Sequence, residues 1–415
     1  MTDHKILSRF HPLWGWLLLP VPAMVLAMLT GTAAANVPCG GSFDEFVDGL
    51  RAEAISSGYE KQAVNRFFDR AVHDPDVIRR DRSQGIFRKS FIEFSQLVMS
   101  QYRINTAAEF ERKHRQIFER VEREFGAPRG VLLSFLALET DFGQVQGDHN
   151  TLNALVTLAH DCRRPELFRP HVLAALELYS GGMFDPDTTT GAWAGEIGMI
   201  QMLPLDIVRY GRDGDNDGRV DLRNSVADAM MTAGQVLYEL GWQPGQPWLV
   251  EVTVPPHLNW AETGLESSKS IAEWLELGVR VRNGTIPDTQ LGAAILLPHG
   301  HGGPAFFALP NFYVYFAWNQ SSVYATTSAF FATLLSGAPM YRQGNPEPPL
   351  TTEQVFALQQ LLVRLGHDVG NIDGIIGKRT RAAVKSEQMR LNLPADEWPT
   401  RDLLDLLTTH APRGE

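Results

Sequence analysis

Apolar residues along this chain recur mainly with the period of a helix. Phe43, Phe46, Val47 and Leu50 fall at helical spacing, and Ser42-x-x-Glu45 at their head has the form of a capping box. Similar patterns predict helices near Lys61 to Val72, Phe87 to Val98 and Ala107 to Phe125, with a turn at Asp74-Pro75-Asp76. Gly126-Ala127-Pro128 breaks the chain, and Pro128 suits the first turn of a new helix. That helix begins with the unbroken apolar stretch of Val131 to Leu138, interrupted only by Ser134, and runs on to Gly143 as VLLSFLALETDFG. Thr151 to Cys162, Phe168 to Leu178, Ser225 to Leu240 and Tyr324 to Leu335 read as further helices. From Gln243 to Gly303 the pattern is irregular, with short strand-like runs at Leu249 to Val254 and Ala293 to Leu297. Gln343 to Pro349 (QGNPEPP) has the composition of a linker. Beyond it, Val355, Leu358, Leu361, Leu362 and Leu365 restore a helical period. The expected fold is mainly α, with one large domain over 36–342, a linker at 343–349 and a small helical domain over 350–410.

Composition narrows the function. A chain of 415 residues with 44% hydrophobic and 20% charged residues is globular. A net charge of −11, without a basic stripe, excludes nucleic acid as the expected partner. Lys5, Arg9 and His11 precede an apolar run from Leu13 to Gly31, and Ala33-Ala34-Ala35 follows. This is the three-part form of a secretory signal peptide over 1–35. Pro20 and Pro22 interrupt the run and no charged stop-transfer cluster follows it, so cleavage is favoured over a membrane anchor. The chain has two cysteines, Cys39 and Cys162, both in the exported part. They form one disulfide or remain two separate buried thiols. No Cys-x-x-Cys pair supports a zinc site.

Glu139 is the first candidate for chemistry. Phe135 and Leu136 lie four and three residues before it and share its helix face, and no Lys or Arg occupies those positions. A carboxyl in apolar company is desolvated and keeps its proton to higher pH, as a general acid requires. The alternative is a helix-terminal Glu that leans into water. Asp213-Gly-Asp215-Asn-Asp217-Gly218-Arg219 resembles the start of a calcium loop, with hard oxygen ligands close together. Position twelve is Asn224 where a Glu is expected, and Asp228 is placed to reach back from the next helix. The candidate ligand set is Asp213, Asp215, Asp217, Arg219 and Asp228, for a structural ion; a solvated acidic turn is the alternative. Gly191 to Gln201 (GAWAGEIGMIQ) offers glycines for close backbone approach to a ligand, and Glu196 and Gln201 as polar contacts. The aromatic run from Asn311 to Asn319 suits either a core or a sugar-stacking wall.

Five segments in order resemble the membrane-bound lytic transglycosylase B family of peptidoglycan-cleaving enzymes. They are ETDFGQVQG, TLNALVTLAHDCRRPELF, GAWAGEIGMIQMLP, the DGDNDG loop and NFYVYFAWNQSSVYA. The C-terminal LQQLLVRLGHDVGNIDGIIGKRTRAAV resembles the three-helix peptidoglycan-binding domain of cell-wall enzymes. The resemblance implies a lysozyme-like fold, with Glu139 as the one catalytic acid. It implies cleavage of the β-1,4 bond between N-acetylmuramic acid and N-acetylglucosamine, leaving a 1,6-anhydro end. Gln201, Asn319, Gly198 and Trp318 are implied as substrate contacts, and Arg163 and Arg164 as a basic pair beside the cleft. Asp213 to Asp221 matches the family's calcium loop; no organic cofactor is implied. The expected protein is a periplasmic monomer whose partner is the glycan strand. Pro204-Leu205-Asp206 and Trp318 depart from the family's usual Pro-Ser and Tyr. A hydrolytic muramidase and a non-catalytic wall-binding protein are the rival readings.

Overall fold

The computed structural model describes residues 38–83, 89–284, 286 and 288–410. The expected leader and the start of the helical pattern at Phe87 lie outside the described residues. The first half of the chain is α1 (Phe43–Ser56), α2 (Lys61–Phe68), α3 (Pro75–Arg82), α4 (Phe91–Val98), α5 (Gln101–Lys113), α6 (Arg115–Phe125) and α7 (Arg129–Thr140). Then come β1 (His149–Asn150), α8 (Thr151–His160), α9 (Pro165–Ser180), β2 (Thr190–Gly191), α10 (Pro204–Tyr210) and α11 (Val226–Glu239). A mixed segment follows: β3 (Leu249–Thr253), β4 (Lys269–Ser270), α12 (Ile271–Glu276), β5 (Arg280–Val281), β6 (Gly292–Leu296) and β7 (Ala305–Ala308). The chain returns to helix in α13 (Phe312–Trp318) and α14 (Ser322–Leu335), and ends in α15 (Thr352–Arg364), α16 (Lys378–Arg390) and α17 (Arg401–His410).

Two local expectations change. The turn expected at Asp74-Pro75-Asp76 is a helix start: the Asp74 carboxylate accepts from Asp76 N at 2.9 Å, and Pro75 opens α3. The pattern from Ala107 to Phe125 splits at His114, whose backbone (φ −115°, ψ 26°) leaves the helical region between α5 and α6.

Helix α7 is the axle of the main core. Every residue from Gly130 to Ala137 is buried, so it is apolar on all sides rather than amphipathic. It packs against α14 through small residues. A Cβ on Gly130 would lie 2.8 Å from the Ala332 carbonyl oxygen, and Ser134 Oγ meets Ser328 Oγ at 3.2 Å. Continuing in opposite directions along the two helices, the next contact is Glu139 beside Tyr324.

The irregular stretch is a sheet. Its order is β4-β6-β7-β3-β5, all antiparallel, with Val250 opposite Phe307 and Ile295 opposite Phe307. One face joins the main core through Phe306 and Ala308; the other builds a second core around Trp274, Ile295 and Phe307. A third core, with Leu358, Leu362, Val384 and Leu403, belongs to the three C-terminal helices. Those helices rest on the sheet segment. Lys385 Nζ donates to Thr263 O at 2.6 Å, His301 Nδ1 meets Asp396 Oδ2 at 2.6 Å, and the Trp398 ring lies 4.3 Å from that of His299.

Candidate active site

Glu139 sits in the last turn of α7. Beyond it the helix cannot continue, because Asp141 (φ 50°), Phe142 (φ 62°) and Gly143 (φ 83°) all take left-handed backbone. Two consecutive non-glycine residues in that region are unusual, and such strain is found where a site is held in shape. The reversal turns Asp141 outward, where Arg103 Nε of α5 donates to its Oδ1 at 2.9 Å. Asp141 is thereby ion-paired and directed away from its neighbour.

The Glu139 side chain is half-buried, so it is reachable from the surface while its carboxyl is densely surrounded by protein. Trp318 Nε1 donates to Oε1 at 2.9 Å, and the Tyr324 hydroxyl donates to the same oxygen at 2.5 Å. Trp318 is stacked on Phe135 at 4.2 Å, and Phe135 on Tyr315 at 5.1 Å, so α7 and α13 fix the indole as one unit. Loss of hydration pushes the Glu139 carboxyl above the usual carboxylate range, against the pull of the two donors. With both donors on Oε1, Oε2 is the oxygen left to hold and deliver a proton. Tyr324 was not expected from the sequence as a site residue. The signal available for it was the small-residue spacing of α7 and α14, which sets their register.

The Gly-rich segment after β2 is fastened to this helix end. Thr140 Oγ1 donates to Met199 O at 2.7 Å. Gln201 has φ 51°, and its Nε2 donates to Gly198 O at 2.9 Å. Gly198 itself is wedged against the chain, since a Cβ there would lie 2.4 Å from Leu222 O. Asn319 ends α13 and accepts from Ser321 N at 3.0 Å, one residue past the Trp318 that touches Glu139. Glu196, on the same Gly-rich segment, is 1% exposed, and neither carboxylate oxygen completes a hydrogen bond. Burial raises its carboxyl to about 7; the charge of Glu139 raises it too, while nearby backbone N–H groups pull the other way.

Arg163 and Arg164 are ion-paired at the other end of α8. Both guanidinium groups bind Asp81 of α3, a carboxylate that is 3% exposed. The buried Asp81 thus neutralises part of the charge of the basic pair that the resemblance set beside the cleft. This corner is closed by the disulfide between Cys39 and Cys162, with Cα atoms 5.2 Å apart.

The aspartate loop also differs from the expected set. Ligand atoms of Asp213, Asp215 and Asp228 lie within 4.8 Å of one another. Asp217 lies outside that trio, and Arg219 could offer a cation only its backbone carbonyl. Asp217 Oδ1 accepts from Arg219 N at 2.9 Å, and the Arg219 guanidinium binds Gly182 O at 2.6 Å. Asp228 is 1% exposed, and its oxygens accept from Gly214 N and Asp221 N, each at 2.7 Å. Burial raises its pKa, and Asp215 adds to the shift.

Residues 42–333 match the family described as transglycosylase SLT domain, and 351–407 match a peptidoglycan binding domain. The crystal structure of SltB3 from Pseudomonas aeruginosa in complex with NAG-anhNAM-pentapeptide is 33% identical, with a TM-score of 0.82. That alignment covers 89% of this chain and 100% of that one. Membrane-bound lytic murein transglycosylase B of Escherichia coli is 23% identical over 308 residues, 72% of this chain and 82% of the relative. Escherichia coli Slt35 in complex with calcium shares the fold at 22% identity and a TM-score of 0.60, over 72% of this chain and 96% of that one.

Proposed function

The chain belongs to the SLT-domain transglycosylases and is a lytic transglycosylase of peptidoglycan, and we propose that Glu139 performs its chemistry as acid and then as base. The observation that supports this is the one-sided bonding of Glu139. Oε1 is held by Trp318 and Tyr324, burial raises the pKa of the carboxyl, and Oε2 remains for the substrate. In the first step the proton on Oε2 passes to the glycosidic oxygen as its bond to C1 of the muramic acid residue breaks. The substrate's N-acetyl group stabilises the positive charge. In the second step the Glu139 carboxylate takes the proton of the C6 hydroxyl while O6 bonds to C1. Glu139 ends protonated and no water is consumed.

A hydrolase of this kind ordinarily places a second carboxylate at the scissile bond. Asp141 is ion-paired to Arg103 and Glu196 is sealed from solvent, so neither is available as nucleophile. Gln201, Gly198 and Asn319 line the approach to Glu139 in this reading. Trp318 combines a flat face with the hydrogen bond that orients the acid. Glu139→Gln keeps the shape and removes the transferable proton. Its expected result is loss of sacculus solubilisation with binding to sacculi retained; unchanged solubilisation would overturn the assignment.

Asp213, Asp215 and Asp228 would hold a calcium ion as a structural brace. Among the described residues no Lys or Arg is ion-paired to any of the three, and converging carboxylates repel unless a cation neutralises them. The division into a catalytic domain over 36–342, a linker at 343–349 and a wall-binding domain over 350–410 accords with the two family matches. Export by the leader places the enzyme at its polymer in the periplasm. Among the described residues no helix is long and apolar enough to cross a membrane.

A further inference from the structure

The seam between the wall-binding helices and the catalytic domain encloses a cavity of about 40 Å³ that has no part in the steps above. Phe91 of α4 and Val323 of α14 line it from one side, and Thr352 of α15, Arg381 of α16 and Trp398 from the other. All four helices meet it within their first turn, and α16 has no side-chain cap. Helix N-termini carry partial positive charge and favour anions. Lys89 adds a cation to that of Arg381, and no Asp or Glu is among the described residues that line the space. In a chain of net charge −11 such a lining runs against the average. Two donors are also left over. Trp398 is 4% exposed, and its Nε1 has no acceptor among the described residues. Arg381 Nε is likewise enclosed and unpaired, while its guanidinium lies 5.3 Å over the Trp398 ring and donates to Pro298 O at 3.2 Å. Acidic neighbours do not supply the missing acceptor. Glu93 accepts from Ser90 N at 2.8 Å, Asp396 holds His301 and Gln388, and Glu397 holds Lys385 at 3.2 Å. Enclosed donors without acceptors are costly, so a pair of them on one cavity points to an acceptor that arrives from outside.

We propose that this cavity is a subsite for a carboxylate of the peptide stems carried by the glycan strand, held by Arg381, Lys89 and the Trp398 indole. The space admits a carboxylate and is too small to enclose a sugar ring. Cationic donors bind a carboxylate through charge-assisted hydrogen bonds, and the apolar wall of Phe91 and Val323 suits the aliphatic carbons behind it. The stems are the carboxylate-bearing part of peptidoglycan. Val323 immediately precedes Tyr324, the donor to Glu139, so a stem held here lies against the helix turn that orients the acid. The subsite rests on peptidoglycan as the substrate, and not on Glu139 as the acid. A free small anion has the same chemistry, and the test separates the two sources.

The Trp398 indole signal is followed by ¹⁵N NMR of the tryptophan-labelled full chain, with Trp398→Phe to assign it. The probes are GlcNAc-MurNAc-tetrapeptide, GlcNAc-MurNAc without peptide, and sodium acetate. Neither disaccharide contains the MurNAc–GlcNAc bond that is cut, so binding is read without turnover. The peptide-bearing probe should move the Trp398 signal at concentrations where the other two do not. Its Kd should rise by about tenfold in Arg381→Met and in Lys89→Met. Lys89 is exposed, so the second variant decides the matter even where Arg381→Met disturbs the fold. A Trp398 signal left in place by the peptide-bearing probe would overturn the proposal, as would an unchanged Kd in Lys89→Met. An equal response to acetate would overturn the stem in favour of a free small anion. Failure of the full chain to solubilise sacculi would instead refute the reading on which the subsite rests.

Discussion

Two donors on one oxygen give Glu139 its asymmetry, and Tyr324 is the stronger test of it. Its hydroxyl stabilises the carboxylate that forms after proton transfer. Tyr324→Phe should lower kcat/KM by about tenfold, the order expected for a lost hydrogen bond to a charged group. The sign of the pH effect follows. With a donor gone, the neutral form of Glu139 is favoured further, so the alkaline limb of the pH–rate profile should move to higher pH. An unchanged limb would mean that Tyr324 only packs. Glu139 was legible in the sequence because its environment is local: Phe135, four residues back, is the ring on which Trp318 stacks. Tyr324 was not, because 185 positions separate it from Glu139. The acidic partner of Arg163 and Arg164 was hidden for the same reason, since Asp81 lies about 80 positions earlier in α3.

Between elements, the α7–α14 contact decides whether donor and acid meet. Gly130→Ala would place a methyl 2.6 Å from Ser336 Oγ and 2.8 Å from the Ala332 carbonyl oxygen. The helices would have to separate, at a cost of about 1–3 kcal/mol. A lowered melting temperature, with activity reduced although Glu139 is nine residues away, is the expected outcome; a wild-type melting curve would contradict so tight a contact. The aspartate loop is tested by chelation. If Asp213, Asp215 and Asp228 hold calcium, a chelator should lower the melting temperature and added calcium restore it; no shift would reject the ion. Most helices were readable here because they carry their own 3.6-residue signal and, at α4 and α15, their own capping box, whereas the short α3, α10, α12 and α13 were not. The sheet was not. β4 and β5 are two residues each, and β7 is the wholly buried run AFFA, so no alternation marks them.

At the scale of the molecule, a cutting unit and a wall-binding unit share one chain. The sequence marked the second unit by its linker and its own helical period. It did not mark the docking of that unit on the sheet, which depends on single contacts such as His301 with Asp396 and Lys385 with Thr263. Held on its polymer, the enzyme has water everywhere around it, yet the steps derived for Glu139 use none. The product ends therefore test the central claim most directly. Purified sacculi are digested with the full chain, and the released muropeptides are separated and weighed. Glu139 acting alone predicts 1,6-anhydro ends on the released strands. Reducing ends, heavier by one water, would show that a water molecule attacks and would contradict it.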